Sequence, residues 1–203
     1  MDMQDIEYGM EVLARIDPDI DRALCELGPP PPRHRAKGFE ALLSIIVSQQ
    51  ISTEVALVIM TRITALVPKM TANGLMSIDD QVLRDAGLSW RKIEYAKGLA
   101  EAIEMRHFDV DGLEVLSDKE AIDAITNLRG FGRWSAEIYL MFSLKRQDIF
   151  PADDLALQVA LGRLKGLSDK PTPKRAREMV KHWSPWRSVG SLFLWHYYRG
   201  APT

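Results

Sequence analysis

The segment Leu128-Arg129-Gly130-Phe131-Gly132-Arg133-Trp134-Ser135-Ala136 carries two glycines one residue apart, and Asp154, in Pro151-Ala152-Asp153-Asp154-Leu155, follows twenty residues after Trp134. A Gly-x-Gly turn between two helices lets backbone N–H groups approach a phosphate closely, because glycine tolerates positive φ and has no side chain. A carboxylate placed one helix later can act on what that phosphate carries. The chemistry implied is a grip on nucleic acid with a reaction beside it.

Two helices must position that turn. Ser117-Asp118-Lys119-Glu120 has a serine N-cap and a glutamate three residues on, which predicts a helix over 117–127 that stops at the glycines. A second helix over 133–144 places Trp134, Ile138, Met141 and Phe142 on one face of a 3.6-residue period. The same pattern also fits a plain interhelical turn with a buried tryptophan behind it. An acidic residue at a helix start has an ordinary reading too, as a cap for backbone N–H groups. Asp153 is expected to take that role at the helix over 154–164, leaving Asp154 for chemistry.

Together these residues resemble the helix-hairpin-helix DNA glycosylases, whose signature is a Leu-Pro-Gly-hydrophobic-Gly hairpin followed by a catalytic Asp at about this distance. The Arg-Trp-Ser-Ala continuation, the Pro-x-Asp-Asp element and Trp186-Arg187-Ser188 are similar to the alkylation-repair branch, of the 3-methyladenine DNA glycosylase II type. The resemblance covers roughly residues 39–199. It implies a monofunctional hydrolase of base excision repair that flips alkylated purines, of the 3-methyladenine or 7-methylguanine kind, out of double-stranded DNA and breaks the N-glycosidic bond. Asp154 matches the catalytic residue, with Asp153 the weaker candidate. Trp134 and Trp195 match pocket tryptophans, whose π faces attract a cationic base. Ile138 falls where the bacterial pattern has another aromatic, with Tyr139 beside it as a further substrate contact. Trp134 also stands where bifunctional members place a Schiff-base lysine, which implies no lyase activity.

For DNA contacts the resemblance implies Gly130, Gly132, Arg133, Ser135 and Arg129 at the hairpin, and Gln50, with Ile51 next, as the wedge that fills the gap left by the flipped base. Arg129 replaces the usual proline and is expected to add a charge beside the phosphate. No cofactor is required. A structural Na⁺ or K⁺ is implied at the backbone carbonyls of Thr126, Leu128 and Phe131. The alternative from another class is a non-catalytic helix-hairpin-helix protein that binds damaged or abasic DNA.

Composition agrees with a soluble chain: 46% of 203 residues are apolar, and no run reaches the eighteen needed for a membrane span. The single Cys25 excludes a disulfide framework and a four-cysteine iron–sulfur cluster, and is expected to be a small buried hydrophobe. The net charge of −2 averages unlike halves. Residues 128–203 hold thirteen Lys/Arg and six Asp/Glu, a balance of +7, whereas residues 1–127 stand at −9. That segregation suits a phosphate backbone on one side.

Strand-like alternation is absent, so the fold class is all-α. Helices are expected over 7–16, 19–27, 39–49, 53–67, 77–85, 89–105, 173–183 and 185–199, with the proline run 29–32 as a linker. The expected architecture is two helical lobes with a DNA-binding cleft between them. Residues 1–36 and 146–203 form one lobe, and 37–145 the other, with the hairpin motif at 117–144. A cytoplasmic monomer is expected, nucleoid-associated if bacterial, without the N-terminal β domain of longer bacterial relatives.

Overall fold

A computed structural model describes residues 1–33, 35–67 and 69–200, and among these every regular element is helical. The chain divides into two compact units, Met1–His34 with Leu140–Thr203, and Arg35–Tyr139. The division falls inside one helix rather than in the loop after it.

The first unit contains α1 (Met3–Ile16), α2 (Pro18–Leu27), α10 (Leu155–Leu164), α11 (Pro173–Met179) and α12 (Arg187–Gly200). Helix α1 starts four residues before the sequence pattern suggests, because Asp2 and Asp5 form a reciprocal capping box. Its apolar face, Ile6, Met10 and Leu13, is buried with Ile20 of α2, Leu157 and Leu161 of α10 and Phe193 of α12. The expected helix over 173–183 ends at Met179 and tightens into a 3₁₀ turn, Lys181–Trp183, that buries Trp183. Cys25, expected inside, is exposed on α2, where the buried positions are Ile20 and Ala23.

A charged cluster pins this unit together. Asp17, 1% exposed between α1 and α2, accepts from Lys165 Nζ at 2.5 and 2.7 Å, from Trp183 Nε1 at 2.7 Å and from the backbone of Asp19 at 3.2 Å. Burial alone would push its carboxyl up, but hydrogen bonds from Lys165 and Trp183, with the Lys165 charge, hold it below the ordinary value. A depressed folded-state pKa means that this stability is fully present above the unfolded value of about 4 and is lost as pH falls through the folded one. Asp17→Asn is therefore expected to lower the unfolding free energy by about 2 kcal/mol near neutral pH, since it leaves the part-buried Lys165 ammonium to the longer contact with Asp19 Oδ2 at 3.1 Å. Urea melts of the two proteins should converge towards acid pH.

The second unit contains α3 (Phe39–Ser48), α4 (Thr53–Leu66), α5 (Ala72–Met76), α6 (Asp80–Asp85), α7 (Trp90–Glu104), α8 (Asp118–Thr126) and most of α9 (Arg133–Phe142). Helix α3 is central, with Phe39, Ala41, Leu42, Leu43, Ile45, Ile46 and Val47 all buried. It packs against α4 and α7. The helix expected over 77–85 starts later, at Asp80, because Asp79 caps α6 by accepting from Gln81 N at 2.7 Å, while Ser77 ends α5, a helix outside the expected set. No described helix is long and apolar enough to cross a membrane.

Candidate active site

The hairpin in the second unit follows from local chemistry. Ser117 caps α8 and Glu120 reaches back to the Ser117 N–H at 2.9 Å. After α8 the chain turns with Phe131 N donating to Leu128 O at 3.1 Å, and Gly130 adopts φ +93°. A side chain there would be strained, and its Cβ would lie 2.3 Å from Cγ of Tyr95. Gly132 differs: its φ is not left-handed, it is exposed, and a Cβ would meet nothing within 4 Å. Gly130 is thus demanded by the fold, whereas the space around Gly132, at the start of α9, would accept a side chain. Helix α9 begins at once, its first i to i−4 bond running from Ala136 N to Gly132 O at 3.2 Å. The amides of 133–135 precede that bond, as anion binding at a helix start requires.

The other hairpin residues are less available than expected. Arg129 forms an ion pair with Glu94 of α7, so its charge is partly offset. Arg133 Nε donates to Glu137 Oε1 at 2.8 Å. Ser135 is buried, its hydroxyl 3.5 Å from Gln49 Nε2, rather than turned outward to DNA. Trp134 is half-buried. Ile138 is buried, and Tyr139 is wholly so, its hydroxyl accepting from Gly38 N at 3.0 Å. Burial pushes the Tyr139 phenol above its usual range, with the Gly38 hydrogen bond opposing. Tyr139 is a pin for the start of α3, and presents no ring to a base.

Before α4, Gln50 stands exposed at φ +58°, Ile51 is half-buried, and Ser52 caps the helix by accepting from Val55 N at 3.3 Å. The left-handed turn projects one polar side chain away from the packed helix. The Arg129–Glu94 pair makes a separate prediction. Glu94→Gln should tighten DNA binding and steepen its salt dependence, whereas Arg129→Gln should flatten the slope of log K against log salt by less than about one unit. Anisotropy titrations over a salt series would read both.

In the first unit the cap expected of Asp153 is made by Asp154. Asp154 is the N-cap of α10, its Oδ1 accepting from Leu157 N at 3.0 Å and from Trp195 Nε1 at 3.2 Å. Asp153 instead takes Arg177 Nη2 at 2.7 Å. Capping does not remove Asp154 from chemistry, because the two N–H donors hold its carboxylate in one orientation. Trp195 is held in turn against Phe142, ring centroids 5.7 Å apart. It also lines a cavity of about 50 Å³ with Arg33, Leu192 and Arg199. Burial and the nearby Arg199 charge both lower the Arg33 guanidinium's pKa, so this flank of Trp195 disfavours a cation.

The loop carrying Asp154 is anchored by residues that the sequence pattern flagged without assigning them work. Ser188 Oγ donates to Arg146 O at 2.7 Å and accepts from Ile149 N at 2.9 Å. Arg187 clamps Asp148 through two hydrogen bonds of 2.6 and 2.7 Å. Burial pushes the Asp148 carboxyl up, but Arg187 and Ser184 hold it below the usual range. Arg187 and Ser188 therefore support the approach to Pro151-Ala152-Asp153-Asp154, while Trp186 packs on Tyr8 of α1.

The model of the HhH-GPD superfamily of base excision DNA repair proteins matches residues 43–185. The chain belongs to that superfamily. It is 31% identical over 167 residues to DNA-3-methyladenine glycosylase 1 of Schizosaccharomyces pombe, covering 77% of this chain and 71% of that protein. Its fold matches the S. pombe 3-methyladenine DNA glycosylase solved in complex with abasic DNA, with TM-score 0.85, 28% identity, and 96% and 98% of the two chains covered. The DNA-3-methyladenine glycosidase of Bacillus halodurans matches with TM-score 0.78 and 31% identity, covering 94% and 88%. This superfamily member therefore carries the hairpin and the aspartate on an all-helical fold.

Proposed function

We propose that this HhH-GPD protein is a monofunctional DNA glycosylase that hydrolyses the N-glycosidic bond of alkylated purines in double-stranded DNA. The observation that carries the reading is Asp154, fixed by the N–H groups of Leu157 and Trp195. As the glycosidic bond breaks, positive charge develops on the sugar, and an oriented carboxylate stabilises it without reorganising. The same group can orient or deprotonate the attacking water. A purine alkylated at N3 or N7 is already cationic and leaves without a separate general acid, which suits a lone carboxylate. Trp134 and Trp195 match the pocket aromatics of the family, whose π faces attract such a base.

Gly130, Gly132 and the first turn of α9 bind a phosphate of the DNA, while Gln50 fills the space of the flipped base. Three hard backbone oxygens at Thr126, Leu128 and Phe131 suit a monovalent cation. The Leu128 carbonyl already accepts from Phe131 N, which leaves one lone pair for such an ion. That ion would add positive charge beside the phosphate. The protein acts as a cytoplasmic monomer in this reading.

Trp134 lacks the amine needed for a Schiff base, so the DNA strand stays intact after base loss. Incubation of methylated duplex should give strand scission only after hot alkali. Scission without alkali, trapped by borohydride as a protein–DNA adduct, would contradict the monofunctional assignment.

A further inference from the structure

Gln49, beside the wedge residue, has its carboxamide turned inward. Its Nε2 donates to the Gly130 carbonyl at 2.9 Å, across a sequence separation of 81 residues, and lies 3.5 Å from Ser135 Oγ. The bond joins the turn carrying Gln50 to the one hairpin residue that the fold requires to be glycine. Helix α7 braces both partners. Lys92 Nζ donates to Val47 O at 2.7 Å, at the end of α3, while Tyr95 packs against Gly130 and Glu94 pairs with Arg129. Partial burial of the Lys92 ammonium lowers its pKa by desolvation.

Gln50 itself is exposed, at a positive φ that a glutamine rarely adopts. Nothing in its own side chain explains why the turn keeps that conformation. Two tethers immediately before it hold the turn, Val47 to Lys92 and Gln49 to the hairpin, and the Ser52 cap of α4 follows it. We infer that Gln49 is a positioning residue that locks the wedge turn to the phosphate-binding hairpin, so that gripping the backbone and holding the base extrahelical are one coupled event. The inference rests on the proposed roles of Gln50 and the hairpin, but not on base hydrolysis.

The test uses Gln49→Met, which keeps length and loses the donor. Base extrusion is followed by 2-aminopurine fluorescence at the target position in the full-length protein, in a duplex where that base is paired and in one where it is mismatched. Gln49→Met should reduce extrusion of the paired base about fivefold, as for loss of one hydrogen bond. On the mismatched duplex, where flipping costs little, it should have almost no effect. Combined with Gln50→Ala, the two losses should not add, because both act through one wedge. Equal loss on both duplexes, no loss on either, or full additivity with Gln50→Ala would overturn the inference. Should Gln49→Met fail to melt cooperatively, Lys92→Met carries the same comparison from the α3 side. Because fluorescence reports extrusion, a protein that flips bases but releases none would refute the proposed activity while leaving the coupling intact.

Discussion

Asp154→Asn should reduce the single-turnover rate of base release by about 10²- to 10³-fold, while affinity for abasic DNA stays within about threefold. The magnitude is that of removing one oriented electrostatic stabiliser from a reacting centre. Asparagine is the informative replacement, because its carbonyl oxygen can still accept from Leu157 N, which Asp154 Oδ1 now does at 3.0 Å. Helix α10 thus keeps its cap and the protein its stability. Asp154→Ala loses the cap as well, at a further cost of about 1 kcal/mol. Asp153 cannot substitute, since its carboxylate is held by Arg177. Rapid-quench measurement of free base separates these outcomes, and wild-type rates in Asp154→Asn would remove Asp154 from the mechanism.

Gly130→Ala and Gly132→Ala should fail in different ways, although they stand two residues apart. At Gly130 a methyl group meets both a strained φ of +93° and the Tyr95 ring, with Cβ 2.3 Å from Cγ. The turn must then move, costing about 2 kcal/mol of stability and at least about tenfold in DNA affinity. At Gly132 a Cβ meets nothing in the protein. Gly132→Ala should leave the melting temperature unchanged and still weaken DNA binding about tenfold, because it obstructs a backbone amide's approach to phosphate. Paired thermal melts and anisotropy titrations would show the contrast. Equal loss of stability in both variants would mean that Gly132 serves the fold rather than the DNA.

The all-helical fold was legible because periodicity and caps agreed. The capping box at Ser117 and Glu120 is realised, and Ser52 and Thr172 cap the helices that begin at Thr53 and Pro173 as their expected ranges require. Failures occurred where an aspartate could act in two places. Asp2 lengthened α1, Asp79 moved the start of α6 to residue 80, and Asp154 rather than Asp153 capped α10, because Arg177, 24 residues away, claimed its neighbour. No local pattern records such a long-range ion pair.

In the candidate site the hairpin turn and the spacing of the aspartate were visible in the sequence and the wedge position came from the family resemblance, whereas side-chain direction could not be read. Tyr139 had the right chemistry for a base contact but lies on the buried side of α9, bonded to Gly38. Gln49 had an unremarkable place at a helix end, where glutamine usually faces water. Only the hydrogen bond to Gly130 distinguishes it. The basic C-terminal half was visible as composition, but several of its cations are spent internally, Arg187 on Asp148, Arg177 on Asp153 and Lys165 on Asp17.

The central claim, that the carboxylate at Asp154 cleaves alkylated purines from DNA, is tested most directly by mass spectrometry of bases released from broadly methylated duplex. Free 3-methyladenine, with 7-methylguanine, should accumulate with wild-type protein and be nearly absent with Asp154→Asn. Tight binding to abasic DNA with no base released by the wild type would contradict the account, and would make the chain a damage-binding protein instead.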